Sequence, residues 1–135
     1  MKPELIIIED DLCEQYFLNK ILSEKIQLVK YIIKSNIIDG WDYIFQNAYK
    51  PQIILLDLNF PGDSGFDLLK KIKFHQETKN LPVIIYTHST NPQDIYEAYN
   101  LGANSYVNKP IGLKSTETTI LNIIKYWFDN NVQGQ

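Results

Sequence analysis

The 135-residue sequence predicts an α/β fold, a parallel five-stranded sheet between two helical layers. Three observations lead there. Five short apolar or β-branched runs alternate with stretches of helical period. Two of those runs, Leu5–Ile8 and Ile53–Leu56, are apolar at every position, as strands covered on both faces require. Proline, glycine or acidic residues punctuate the runs. A (βα)5 alternation with right-handed crossovers gives a doubly wound sheet.

Each element has its own signal. Leu5–Ile8 is the first strand. The first helix runs from Asp11 to about Lys25, with Leu12, Tyr16, Ile21 and Leu22 near helical spacing and Asp11 suited to cap it. Leu28–Lys34 is the second strand, carrying β-branched Val29, Ile32 and Ile33. Trp41–Ala48 is the second helix, after Asp39-Gly40. Pro51 opens the third strand, Ile53–Asp57, and Pro61-Gly62 turn the chain toward Ser64, which caps a helix to His75. Pro82 precedes the fourth strand, Val83–Thr87. Asn91 caps and Pro92 begins the fourth helix, which stops where Gly102 suits a left-handed C′ position. Ser105–Asn108 is the fifth strand, ended by Lys109-Pro110, and Leu113–Asp129 is the fifth helix. Residues 1–129 therefore form one domain, and residues 130–135 are expected to be a flexible tail.

Composition narrows the function. Net charge is −3, with 44% hydrophobic and 21% charged residues. No basic stripe marks a nucleic-acid surface. The single cysteine, Cys13, excludes an intramolecular disulfide and fits a reducing cytoplasm; it has no His or Cys at metal-binding spacing and reads as a packing or surface residue. The N-terminal apolar run has only four residues before acids follow, so neither a signal peptide nor a membrane span is expected.

Among doubly wound folds, the flavodoxin-like strand order 2-1-3-4-5 opens a crevice at the carboxyl ends of strands one and three. Those strands end in Glu9-Asp10 and Asp57. Three carboxylates in one small site need a compensating cation. Hard oxygen donors supplied only partly by protein suit Mg²⁺. Thr87 and Lys109 end the fourth and fifth strands. An acid pair, a third acid, a hydroxyl and an amine suit phosphoryl transfer to a carboxylate. Asp57 would be the nucleophile, with Lys109 and Thr87 meeting the phosphoryl oxygens.

The segments IIIEDD, ILLDLNFPGDSGFDLL, PVIIYTHS and LGANSYVNKP, in this order, resemble the receiver domain of bacterial two-component response regulators along essentially the whole chain. The resemblance implies that Asp57 accepts a phosphoryl group from a histidine kinase or phosphotransfer protein. It implies Mg²⁺ held by Asp10, Asp57 and the Asn59 backbone carbonyl, with Glu9 completing the acidic pair. Thr87 and Lys109 would contact the phosphoryl group, Tyr106 would be the switch aromatic, and Lys109–Pro110 would be cis. Phosphorylation would remodel the face of helix four, strand five and helix five, where a homodimer is expected. Tyr96, Tyr99, Trp127 and Phe128 are the candidate anchors. The His75–Val83 stretch and the late YWFD resemble single-domain receivers that partner phytochrome-like kinases. With no output domain expected after residue 135, signalling would run through protein contacts or phosphate relay.

His88 departs from that pattern, which usually has a small residue after the threonine. It is a candidate gate over Asp57, or simply a solvent-facing side chain; His75 reads as solvated. Asn59 and Ser89, two residues beyond Asp57 and Thr87, occupy positions that tune acyl-phosphate lifetime in such proteins. Any catalysis would be self-phosphorylation and its reversal by hydrolysis, without a metabolic substrate. A haloacid-dehalogenase-type phosphatase would want an acid where Asn59 stands. A flavin or nucleotide module would want a neutral phosphate-cradling loop where EDDLCEQ stands. A pseudo-receiver, an interaction module working without phosphorylation, is the remaining alternative.

Overall fold

The computed structural model describes residues 2–25 and 29–131. The elements follow as β1 (Glu4–Ile8), α1 (Leu12–Lys25), β2 (Tyr31–Lys34), α2 (Ile37–Gln46), β3 (Gln52–Leu56), β4 (Asn59–Phe60), β5 (Asp63–Ser64), α3 (Gly65–Phe74), β6 (Val83–Thr87), α4 (Pro92–Asn100), β7 (Ser105–Asn108) and α5 (Leu113–Ile124). A π-helical segment, Lys125–Asn130, continues α5. The parallel sheet has the order β2-β1-β3-β6-β7. That is the predicted 2-1-3-4-5 order, because β4 and β5 form only a small separate hairpin.

The apolar runs are continuous because each strand feeds two cores. Ile6, Ile8, Ile54, Leu56, Val83 and Ile85 pack in one cluster with Ile44 of α2, Leu69 of α3 and Ala98 of α4. The alternate residues Leu5, Ile7, Ile53, Leu55, Ile84 and Tyr86 pack in the other with Leu18 of α1 and Ile120 of α5. Strand period two sends neighbouring side chains to opposite faces, so central strands need apolar residues at every position.

The helix ends follow their capping chemistry. Asp11 Oδ1 accepts from the Cys13 and Glu14 amides at 2.8 and 3.2 Å. Ser64 accepts from the Phe66 amide, and Asn91 from the Gln93 amide. Gly102 holds φ +105°, as its C′ position predicts.

Three expectations are corrected. The second helix starts at Ile37, not Trp41, because Asn36 caps it by accepting from the Asp39 amide. Gly40, expected to precede that helix, lies inside it, where a Cβ would come within 2.7 Å of Ile8 Cδ1. Close helix–sheet approach outweighs the poor helix propensity of glycine there. The second strand begins at Tyr31, and Leu28 lies outside the described residues. Every peptide bond among the described residues is trans, Lys109–Pro110 included. Asn130 ends the π-helical segment, and residues 132–135 of the expected tail lie outside the described residues.

Candidate functional site

Parallel register brings the polar strand ends together. Ile8 pairs with Leu56, so Glu9 and Asp57, the residues following them, emerge side by side. The Asp57 amide donates to the Ile8 carbonyl at 3.2 Å. Thr87 ends β6, Lys109 follows β7, and the Lys109 amide donates to the Thr87 carbonyl at 2.8 Å.

Beyond Asp57 the β4–β5 hairpin folds the chain back, and the Gly65 amide donates to the Leu58 carbonyl at 2.9 Å. A Cβ on Gly65 would sit 2.1 Å from the Asp57 carbonyl oxygen. Only glycine lets α3 begin this close to Asp57.

The side chains make a buried ionic cluster. Lys109 Nζ lies 2.6 Å from Glu9 Oε1 and 2.8 Å from Asp57 Oδ2. Asp57 Oδ1 accepts from the Asn59 amide at 3.3 Å. Glu9 is only 1% exposed and Asp57 6%. Burial pushes Glu9 up to about 7, although Lys109 pulls it down, because one ammonium is shared between two carboxylates. Burial alone would lower Lys109, but its hydrogen bonds to Asp57 and Glu9 hold it above the usual lysine value.

Carboxylate oxygens of Glu9, Asp10 and Asp57 all lie within 4.8 Å of one another. Three carboxylates against one ammonium leave an excess of negative charge, and the all-oxygen donor set suits a hard divalent cation. The residues present therefore fit a metal of this kind.

Thr87 is fully buried, and the Asn59 side-chain amide approaches its Oγ1 at 3.5 Å. Tyr106 is half-buried against the α2–α3–α4 core, and its hydroxyl donates to the Ser89 carbonyl at 2.9 Å. His88 is exposed at the end of β6. His75 is exposed but not simply solvated: its ring stacks 4.8 Å from Trp41 and 5.5 Å from Phe45. Cys13 is a surface residue, as expected. On α4, Tyr96 and Tyr99 are exposed, whereas Trp127 and Phe128 are half-buried against the α1–α5 core.

Sequence reasoning passed over Glu14. It is buried on α1, and its Oε2 has no hydrogen-bond partner among the described residues. Burial raises its pKa, while Lys109 and then His88 pull it down. Its spacing of four and eight residues from Leu18 and Leu22 was the available signal, since that stripe faces the core.

The response regulator receiver domain family matches residues 5–121, and the chain belongs to it. It is a receiver domain of two-component signalling. Over 85 residues it is 34% identical to response regulator Rcp1 of Synechocystis sp. (strain ATCC 27184 / PCC 6803 / Kazusa), which is 63% of this chain and 58% of Rcp1. The chain spans little more than half the length of the curated relatives it matches in this way. The crystal structure of Mn(2+)-bound Rcp1 superposes with a TM-score of 0.85 at 26% identity, covering 98% of this chain and 100% of that one. The phosphorylated cyanobacterial phytochrome response regulator RcpA superposes with a TM-score of 0.91 at 24% identity, covering both chains fully, and shares the fold. Among the described residues no helix is long and apolar enough to cross a membrane.

Proposed function

We propose that this receiver takes a phosphoryl group on Asp57 from a sensor histidine kinase or phosphotransfer protein. The observation that carries this reading is the Lys109 ammonium, held 2.8 Å from Asp57 Oδ2 at the head of a three-carboxylate crevice. An Asp57 oxygen attacks phosphorus, the P–N bond of the donor phosphohistidine breaks, and the imidazole leaves with its electron pair. The product is an acyl phosphate.

Lys109 turns from the carboxylate to the transferred oxygens and neutralises their charge. Thr87 donates its hydroxyl to one of them, and Tyr106 is the switch aromatic that reorients. Asp10, Asp57 and the Asn59 carbonyl hold Mg²⁺, with Glu9 beside them. The metal, when bound, supplies charge neutralisation at the phosphoryl oxygens. Mn²⁺ in Rcp1 supports a divalent cation at such a site. His88 gates access from β6.

The α4–β7–α5 face, with exposed Tyr96 and Tyr99, carries the output, including a homodimer. The His75–Val83 stretch and the late YWFD favour a phytochrome-like kinase as donor, and the single cysteine fits the cytoplasm as location.

The test is incubation with Mg²⁺ and a small acyl-phosphate donor, read by intact mass. One phosphoryl adduct is expected on the wild type and none on Asp57→Asn. A wild type that takes no adduct, even with a competent kinase, leaves the pseudo-receiver reading instead.

A further inference from the structure

Ser89 is a hub in the loop between β6 and α4. Its amide approaches Thr87 Oγ1 at 3.5 Å. Its hydroxyl donates to Asp94 Oδ2 at 2.5 Å and accepts from the Asn91 amide at 3.3 Å. Its carbonyl accepts two side-chain donors from β7, Tyr106 Oη at 2.9 Å and Asn108 Nδ2 at 2.7 Å. Asn108 Nδ2 also approaches the Thr87 carbonyl at 3.5 Å. A carbonyl oxygen has two lone pairs, so both bonds can form at once.

The two donors differ in kind. Tyr106 places a bulky ring in a half-buried slot, and a change of rotamer withdraws its hydroxyl altogether. Asn108 is short, sits on the last residue of β7, and is anchored by the register that pairs it with Thr87. Movement of the tyrosine ring therefore leaves the second bond in place.

We propose that Asn108 is a positioning residue that holds the Ser89 carbonyl independently of Tyr106. The β6–α4 loop, and with it the backbone around Thr87, stays placed whichever way the Tyr106 ring turns. The consequence for switching rests on the function proposed above: phosphoryl capture by Thr87 and reorientation of Tyr106 become separable events. The tether itself does not rest on that function.

The experiment is hydrogen exchange of the amides of residues 88–95 in the unphosphorylated full chain. It compares wild type, Asn108→Val, Asn108→Asp, Tyr106→Phe and the Asn108→Val/Tyr106→Phe double variant. Asn108→Asp keeps the shape but presents an acceptor to an acceptor, so it separates the hydrogen bond from packing.

One net hydrogen bond corresponds to roughly a five-fold change in an opening equilibrium. Each single loss should therefore raise exchange by about five-fold or less, with Asn108→Asp at least equal to Asn108→Val. The double variant should reach about the product of the singles, with global unfolding little changed. Full release by Tyr106→Phe alone, or silence of both Asn108 variants, overturns the proposal. If the tether pattern appears in a chain that takes no phosphoryl adduct, the tether stands and only phosphoryl transfer is lost.

Discussion

Lys109 Nζ sits 2.8 Å from Asp57 Oδ2 and 2.6 Å from Glu9 Oε1, one buried ammonium between two buried carboxylates. The arrangement is lopsided in charge, and each partner responds differently to removal.

Lys109→Met should destabilise the metal-free fold by about 3 kcal/mol, because two buried carboxylates lose their only close cation among the described residues. Asp57→Asn should be neutral or stabilising, since Lys109 keeps Glu9 and one negative charge is gone. Urea unfolding in EDTA checks both. Equal losses for the two variants would contradict this account of the cluster.

Mg²⁺ should stabilise the folded chain, because the carboxylates of Glu9, Asp10 and Asp57 converge only after folding. Saturation at a hundred times Kd corresponds to about 2.7 kcal/mol. Asp10→Asn should remove most of that gain while leaving the melting temperature in EDTA close to wild type. Thermal scans with and without Mg²⁺ read the difference.

His88→Ala should change the rate at which a small acyl-phosphate donor labels Asp57, by two-fold or more. The side chain is exposed beyond Thr87. Indistinguishable labelling rates would leave His88 as a solvent-facing residue.

Lys73 gives a pH dependence far from the crevice. Its Nζ donates to the Leu81 carbonyl and Asn104 Oδ1, each at 2.9 Å. Burial lowers it from the ordinary 10.5 to about 8. Between those values the unfolded chain holds a proton that the folded chain has released, so this group makes stability rise with pH. The stability gap between wild type and Lys73→Met should widen from pH 8 to 9.5. Urea unfolding at both values measures it, and a constant gap would count against the shift.

The pattern of residues carried much of this architecture because burial and strand period leave local marks. Ile53–Leu56 had to be a strand covered on both faces, and Asp57 had to leave it at a carboxyl end. Ser64, Asn91 and Gly102 mark helix ends through bonds made within a few residues. The start of α2 was illegible because Gly40 reads locally as a breaker, while its close contact with Ile8 is 32 positions away in the chain. The β4–β5 hairpin was missed because two-residue strands carry no period.

By itself the sequence determined which groups stand at the strand ends: Glu9, Asp10, Asp57, Thr87 and Lys109. Order along the chain and strand alternation are enough for that. Only the tertiary structure decided how they share charge. The ammonium of Lys109 bridges Glu9 and Asp57, Glu14 is buried with an oxygen that has no hydrogen-bond partner among the described residues, and Tyr106 and Asn108 converge on one carbonyl. These relations depend on distances and dielectric between residues far apart in sequence, and such quantities exist only once the sheet is assembled.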